Sequence, residues 1–187
     1  MRNLEEKTLR EKTWFEGRVV KLVTADVELP DGTTGSREIV KHPGAVAILP
    51  ICDSGKLLLV EQYRKPLEKA IVEIPAGKIE PSEDKEITAA RELEEETGHV
   101  AGTLSYLTSF YTAPGFSDEL LHIYVARDLK KLQHHRPLDE DEFVNILEVT
   151  LDEAKQLVEQ QVIHDAKTVY AIQYLELENL KRQLEDE

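Results

Sequence analysis

Cysteine is nearly absent from this sequence. Cys52 stands alone among 187 residues, which excludes an intrachain disulfide and a zinc–thiolate cluster. No run of about 18 apolar residues occurs, so nothing reads as a membrane span. The opening segment, MRNLEEKTLREKTWFEG, lacks the apolar stretch of a secretory signal. Positive charge is also scarce: 23 Lys and Arg stand against 37 Asp and Glu, a net charge of −14. Nonspecific nucleic-acid binding needs a basic surface, so neither a nucleic acid nor a membrane is expected as a partner. These absences fit a cytoplasmic protein. A phosphorylated small substrate stays compatible with them, because divalent cations can reverse the local sign of an acidic pocket.

At this length the chain can form one domain with a real core, or one domain plus an elaborated arm. No internal repeat, low-complexity tract or long linker appears. Val19 to Pro30 and Arg37 to His42 read as strands joined across PDGTTGS. The runs GAVAILPI and KLLLVEQY flank CDSG and read as a hairpin, and AIVEIPAG reads as another short strand. Residues from Ser82 to Thr97 favour helix, with Pro81 and Ser82 at its start and Gly98 at its end. Further strands are expected at Leu104–Thr112, Leu120–Ala126 and Glu142–Val149. Two helices follow, the first capped by Thr150 and the last by Asp165, with Val169, Ile172, Tyr174, Leu175 and Leu180 available for packing. Elements that do not alternate regularly indicate α+β, or an α/β/α sandwich over a mixed sheet.

One stretch conflicts with ordinary helix chemistry. RELEEETG, Arg91 to Gly98, places four glutamates at a helix C-terminus, where the macrodipole disfavours acids. Like charges three and four positions apart also repel, by roughly 0.2–0.5 kcal/mol per pair. On a helix Glu92, Glu95 and Glu96 fall within roughly 100° of one another, and Glu94 points away toward solvent. Three convergent carboxylates suit a hard divalent cation such as Mg²⁺, which also pairs with phosphate oxygens. An isolated acidic run would more often be a solvated helix face.

The wider spacing favours the cation. From Gly77 the chain reads GKIEPSEDKEITAARELEEETGH, which places Gly77, Glu83, Arg91, Glu92, Glu95, Glu96 and Gly98 at set intervals. This resembles the Nudix box, GX5EX7REUXEEXGU, with U a bulky aliphatic residue. Seven fixed residues would match by chance at about one start in 10⁸. His99 in the last aliphatic position is the one departure, and it touches packing more than chemistry. Gly77 is read as the tight turn out of the strand, and Glu83 with Arg91 as an ion pair holding loop against helix. The resemblance implies a Nudix α/β/α sandwich, and cleavage of a nucleoside diphosphate linked to another moiety. It implies Mg²⁺, with Mn²⁺ or another divalent cation as an alternative. Glu92 and Glu96 are then the principal ligands, with Glu95 bound directly or through water and the Ala76 carbonyl added.

Outside the box the sequence resembles the bacterial ADP-ribose pyrophosphatase branch of that family, its Bacillus-type members above all. The matching stretches are SREIVKHPGAVAILP, VEQYRKP, EIPAGKIE, SFYTAPGFSDE, LDEDEF and the late DAKTVYAIQYL. The resemblance implies hydrolysis of ADP-ribose to AMP and ribose 5-phosphate. It places Arg37 at the adenosine portion and Arg64 near the phosphates and terminal ribose. Arg18, Val19 and Lys78 fall near substrate-contacting stretches, and Glu73 and Glu119 at the ribose end. Ala113, Pro114 and Gly115 match a loop that reaches a partner subunit's site. The general base is expected from LDEDEF, which leaves open Glu140 or Glu142, with Glu142 also an additional metal position. Residues 1–43 are expected to form a β arm that joins a homodimer on the adenosine side, and residues 44–187 the hydrolase domain. His134 and His135 are expected at the surface, and Cys52 as a small apolar residue near a turn. The alternatives are the same chemistry on another nucleoside diphosphate sugar, or a noncatalytic ligand sensor of the same fold.

Overall fold

The structure, a computed structural model, describes residues 3–138 and 142–185. Among these residues the chain forms ten strands and three α-helices. In order they are β1 (Lys7–Glu16), β2 (Lys21–Glu28), β3 (Thr34–Lys41), β4 (Ala45–Pro50), β5 (Leu57–Arg64), β6 (Lys69–Glu73), β7 (Ala76–Lys78), α1 (Lys85–Thr97), β8 (His99–Tyr111), β9 (Leu120–Lys131), β10 (Val144–Val149), α2 (Leu151–Glu159) and α3 (Ala166–Glu185). The strands make three sheets, ordered β1-β2-β3, β10-β5-β6 and β7-β4-β9-β8. The α+β class expected from the irregular alternation of elements holds.

Backbone contacts divide the chain into two units. The first joins Met1–Ala45 to Ser109–Leu121. Its sheet is an antiparallel meander in which Lys21 faces Lys41 and Glu28 faces Thr34. On β2, Val23, Ala25 and Val27 are buried in strict alternation, the signature of a half-buried strand. The segment 109–121 docks on β3 through Val40 N–H to the Phe116 carbonyl, 2.8 Å, and His42 N–H to Asp118 Oδ1, 2.9 Å. β1 was not legible as a strand, and the reason is physical. All ten of its residues are exposed, so its sequence carries no core-facing period.

The second unit joins Val46–Thr108 to His122–Glu187. Val46 and Ile48 of β4, Ala89 and Leu93 of α1, and Tyr124 and Ala126 of β9 form one buried cluster. Ala47, Leu49 and Ile123 point to the other face by alternation and are equally inaccessible. Burial on both faces explains why β4 reads as an uninterrupted apolar run. Each fully buried Leu or Ile contributes roughly 1.5–3 kcal/mol.

Two sequence readings change here. The tight turn at Cys52–Gly55 exists, with Cys52 N–H donating to the Lys56 carbonyl at 2.8 Å. Its flanking strands, however, share only the Ile51–Leu57 bridge and then enter different sheets. Likewise AIVEIPAG is two strands, β6 and β7, in different sheets. Apolar runs buried on both faces carry no register information, so pairing could not be read from them. α3 packs through Thr168, Ala171, Ile172 and Leu175, whereas Leu180 is exposed.

Candidate active site

The site is built where β7 leads into α1. Asp84 caps the helix, accepting from the Glu86 N–H at 2.9 Å, so α1 begins after Pro81 and Ser82 instead of at them. Gly98 ends it at φ 69° with its N–H on the Glu94 carbonyl, a left-handed cap that glycine adopts without strain. At the missing aliphatic position His99 is held by polar contacts, its Nδ1 lying 2.8 Å from the Thr97 carbonyl oxygen.

Arg91 organises the carboxylates. Its Nε and Nη2 donate to the two oxygens of Glu83 at 3.1 and 3.0 Å, the expected loop-to-helix pair. Its Nη1 donates to Glu92 Oε1 and to Glu95 Oε2, at 2.8 Å each. A single cationic nitrogen therefore bridges two of the three convergent glutamates. The third, Glu96, accepts from the Ala76 N–H at 3.0 Å, which ties β7 to the helix. Glu92 and Glu96 are 6% and 3% exposed.

Burial raises the Glu92 carboxyl to about 7, against the lowering effect of Arg91 and with Glu95 and Glu142 adding repulsion. Burial likewise raises Glu96 to about 8, with Glu92 and Glu142 adding to it and the Ala76 N–H opposing it. Arg91 is held charged more firmly than a free guanidinium, chiefly by Glu83. Glu142 thus lies within electrostatic reach of both buried glutamates. Glu140 lies outside the described residues.

Gly77 has a different reason from the one expected. Its φ is not positive, so no unusual turn requires glycine. An added Cβ would instead collide with the Glu92 carboxylate; the missing side chain is the space that carboxylate fills. Glu94 is also corrected. It accepts from the Arg136 N–H at 3.0 Å and pairs with Arg136 Nε at 3.3 Å, so it is not simply solvated.

A second charged cluster lies in the same unit. Glu73 is 2% exposed. Both its oxygens are taken by Arg64, Nε at 2.7 Å and Nη2 at 2.9 Å, and Lys167 of α3 also reaches it. Burial alone would push the Glu73 carboxyl up, but its two cations bring it below the usual range. As placed, Glu73 anchors Arg64. Sequence reading missed Lys167, since 94 residues separate it from Glu73 and no local spacing links them.

Lys78 pairs with Glu80 at 2.9 Å. Arg18 and Val19 are exposed between β1 and β2. Arg37, in the first unit, is held by Glu6 in a two-point contact whose Nε bond is 2.8 Å. In that unit the turn at Ala113, Pro114 and Gly115 closes through the Ser117 N–H on the Ala113 carbonyl at 2.9 Å. Glu119 accepts from the Thr112 hydroxyl and lies 3.7 Å from His42 Nδ1. His134 and His135 are exposed, and burial raises the Cys52 thiol.

Among the described residues no three acidic or imidazole groups already form a cation cage. The donor set nevertheless fits a hard divalent cation. It is all oxygen, it is convergent, and a cationic nitrogen already stands between two of its members.

Comparison with known proteins agrees with this geometry. The NUDIX domain pattern matches residues 41–171. The ADP-ribose pyrophosphatase of Bacillus subtilis (strain 168) is 57% identical over 177 residues, covering 95% of this chain and 96% of that protein. A Bacillus methanolicus protein named methanol dehydrogenase activator is 58% identical over 174 residues, covering 93% and 94%. A crystal structure of an ADP compounds hydrolase superposes with a TM-score of 0.80 at 28% identity, over 98% of each chain. The expected fold, helices over a mixed sheet, is shared with it. Nudix hydrolases generally use divalent cations, and a box on strand, loop and helix, matched across most of its length, places this chain in the Nudix hydrolase family.

Proposed function

We propose that this chain is a divalent-cation-dependent pyrophosphohydrolase that cleaves ADP-ribose to AMP and ribose 5-phosphate. The observation that carries the reading is the Arg91 Nη1 seated between Glu92 and Glu95. It is a position that already holds positive charge, between the buried Glu92 carboxyl and the partly buried Glu95. Mg²⁺ is the proposed cation and Mn²⁺ the alternative. Glu92, Glu95 and Glu96 would hold it with the Ala76 carbonyl, and Glu142 would add a further oxygen. When bound, the cation neutralises the diphosphate and makes water a better nucleophile.

The chain's own residues do the rest. Glu140 or Glu142 takes a proton from the attacking water as its oxygen bonds to phosphorus. The phosphoanhydride bond then breaks, and the other phosphate leaves with its sugar. Arg64 binds the diphosphate through the forked contacts a guanidinium offers, and Arg37 takes the adenosine portion. Arg18, Val19, Lys78 and Glu119 are proposed as further substrate contacts. Ala113, Pro114 and Gly115 are proposed to serve the site of a partner subunit.

We further propose a cytoplasmic homodimer acting on a small molecule, with no nucleic acid or membrane partner. The net charge of −14 supports the last point. The dimer is supported by β1, whose Trp14 is 59% exposed beside an exposed Phe15. Residues 1–43 would form the joining arm and residues 44–187 the hydrolase domain.

Hydrolysis of ADP-ribose with the cation present and after chelation tests the reading. Cation-dependent release of AMP is expected; binding without turnover would leave only a ligand sensor. The Bacillus methanolicus relative supports a second reading, activation of a methanol dehydrogenase. Adding this chain to that dehydrogenase and measuring methanol oxidation decides it.

A further inference from the structure

We infer that Lys167 and Glu73 are positioning residues that set the Arg64 guanidinium for the diphosphate, an inference that rests on the function proposed above. Glu73 takes Nε and Nη2 of Arg64 at 2.7 and 2.9 Å. Nη1 has no hydrogen-bond partner among the described residues. Arg64 also feels the charge of Glu96, which puts it within electrostatic reach of the carboxylate cluster. The guanidinium is therefore clamped along one edge and open along the other.

Lys167 completes the clamp. A carboxylate as buried as Glu73 needs more compensation than one half-exposed guanidinium supplies, and Lys167 Nζ reaches Glu73 as well. Lys167 is itself held by Asp165 Oδ1 at 2.8 Å. The other Asp165 oxygen is buried and has no hydrogen-bond partner among the described residues.

A purely structural role, fastening α3 to the neighbouring strand, is already served elsewhere. Thr168 Oγ1 accepts from the Ile74 N–H at 2.9 Å in a buried contact, and Ile172 and Leu175 are buried on the same helix. The ion network lies beside that attachment. What it adds is a fixed direction for Arg64.

The test is a double-mutant cycle read in KM. Lys167→Met should raise the KM for ADP-ribose about tenfold, the scale of a charge-assisted hydrogen bond, with kcat within about twofold. Lys167→Arg should restore KM to within about twofold, because it keeps the charge. In an Arg64→Ala background Lys167→Met should add nothing further, since the residue it positions is gone. An equal KM increase in both backgrounds would overturn the inference. Should Lys167→Met not fold, Glu73→Gln combined with Lys167→Met removes opposite charges together. That folded variant should show the same rise in KM, and an unchanged KM would overturn the inference as well. ADP binding by calorimetry reads the same coupling without turnover. Failure of the wild-type chain to hydrolyse ADP-ribose would overturn the proposed substrate alone, whereas loss of coupling in ADP binding would overturn the clamp alone.

Discussion

Gly77 and Glu92 compete for one volume: a Cβ on the glycine would occupy the space of the glutamate's carboxylate. Because that carboxylate is the end of a flexible side chain, Gly77→Ala is expected to fold, with Glu92 swung aside. Displacement of about 1 Å at a catalytic group can cost about 100-fold. Gly77→Ala should therefore lower kcat/KM by about that factor, with little change in Tm. Steady-state kinetics beside a melting curve check this, and wild-type turnover would contradict it.

Glu92→Gln or Glu96→Gln should abolish turnover, by at least about 1,000-fold, while the fold survives. At position 96 a glutamine oxygen can still accept from the Ala76 N–H, so local geometry is kept. The cation-induced rise in Tm should shrink in both variants. A full rise in Tm with full activity would remove the cation site from the account.

Stability should depend on pH in an unusual sense for carboxylates. Glu92 and Glu96 titrate near 7 and 8 in the folded chain, against an ordinary 4.5. Between these values the folded state holds more protons than the unfolded one, so stability falls as pH rises. The contribution is complete below about 4.5 and is lost by about 8. Cation-free Tm should therefore drop across that window, and Glu96→Gln should flatten the slope. Cation binding needs the ionised carboxylates, so affinity should rise over the same window. Melting curves at several pH values, with chelator and with Mg²⁺, test both; a cation-free Tm that climbs from pH 5 to 8 would contradict the first.

Much of the fold and of the carboxylate cluster was legible because their signals are local. The Thr150 cap appears as a full capping box with Glu153, and Gly98 ends α1 where its spacing required. Glu92, Glu95 and Glu96 share a face because 3.6 residues make a turn. What escaped depends on distant partners. Glu94 finds Arg136, 42 residues on, and Glu73 finds Lys167. Gly77 was read as a turn residue because backbone freedom can be inferred from glycine itself, whereas the approach of Glu92 cannot. β4 and β5 looked like one hairpin because their turn is local and their divergence into two sheets is not.

The arm offers a separate test. Every residue of β1 is exposed, with Leu9, Trp14 and Phe15 among them, more apolar surface than an isolated strand ordinarily shows. Deleting residues 1–43 should abolish both the proposed dimer and activity. Sedimentation of the full chain as a 21.3 kDa monomer with full activity would contradict the dimer.

Substrate preference is read from kcat/KM for ADP-ribose, ADP-glucose and GDP-mannose in the presence of Mg²⁺. A site that recognises both the adenosine and the terminal ribose leaves buried polar groups unmatched on the wrong substrate, at roughly 1–3 kcal/mol each. ADP-ribose should exceed both competitors by at least about tenfold, which needs only about 1.4 kcal/mol. Equal turnover of adenosine and guanosine diphosphate sugars would rule out ADP-ribose as the preferred substrate.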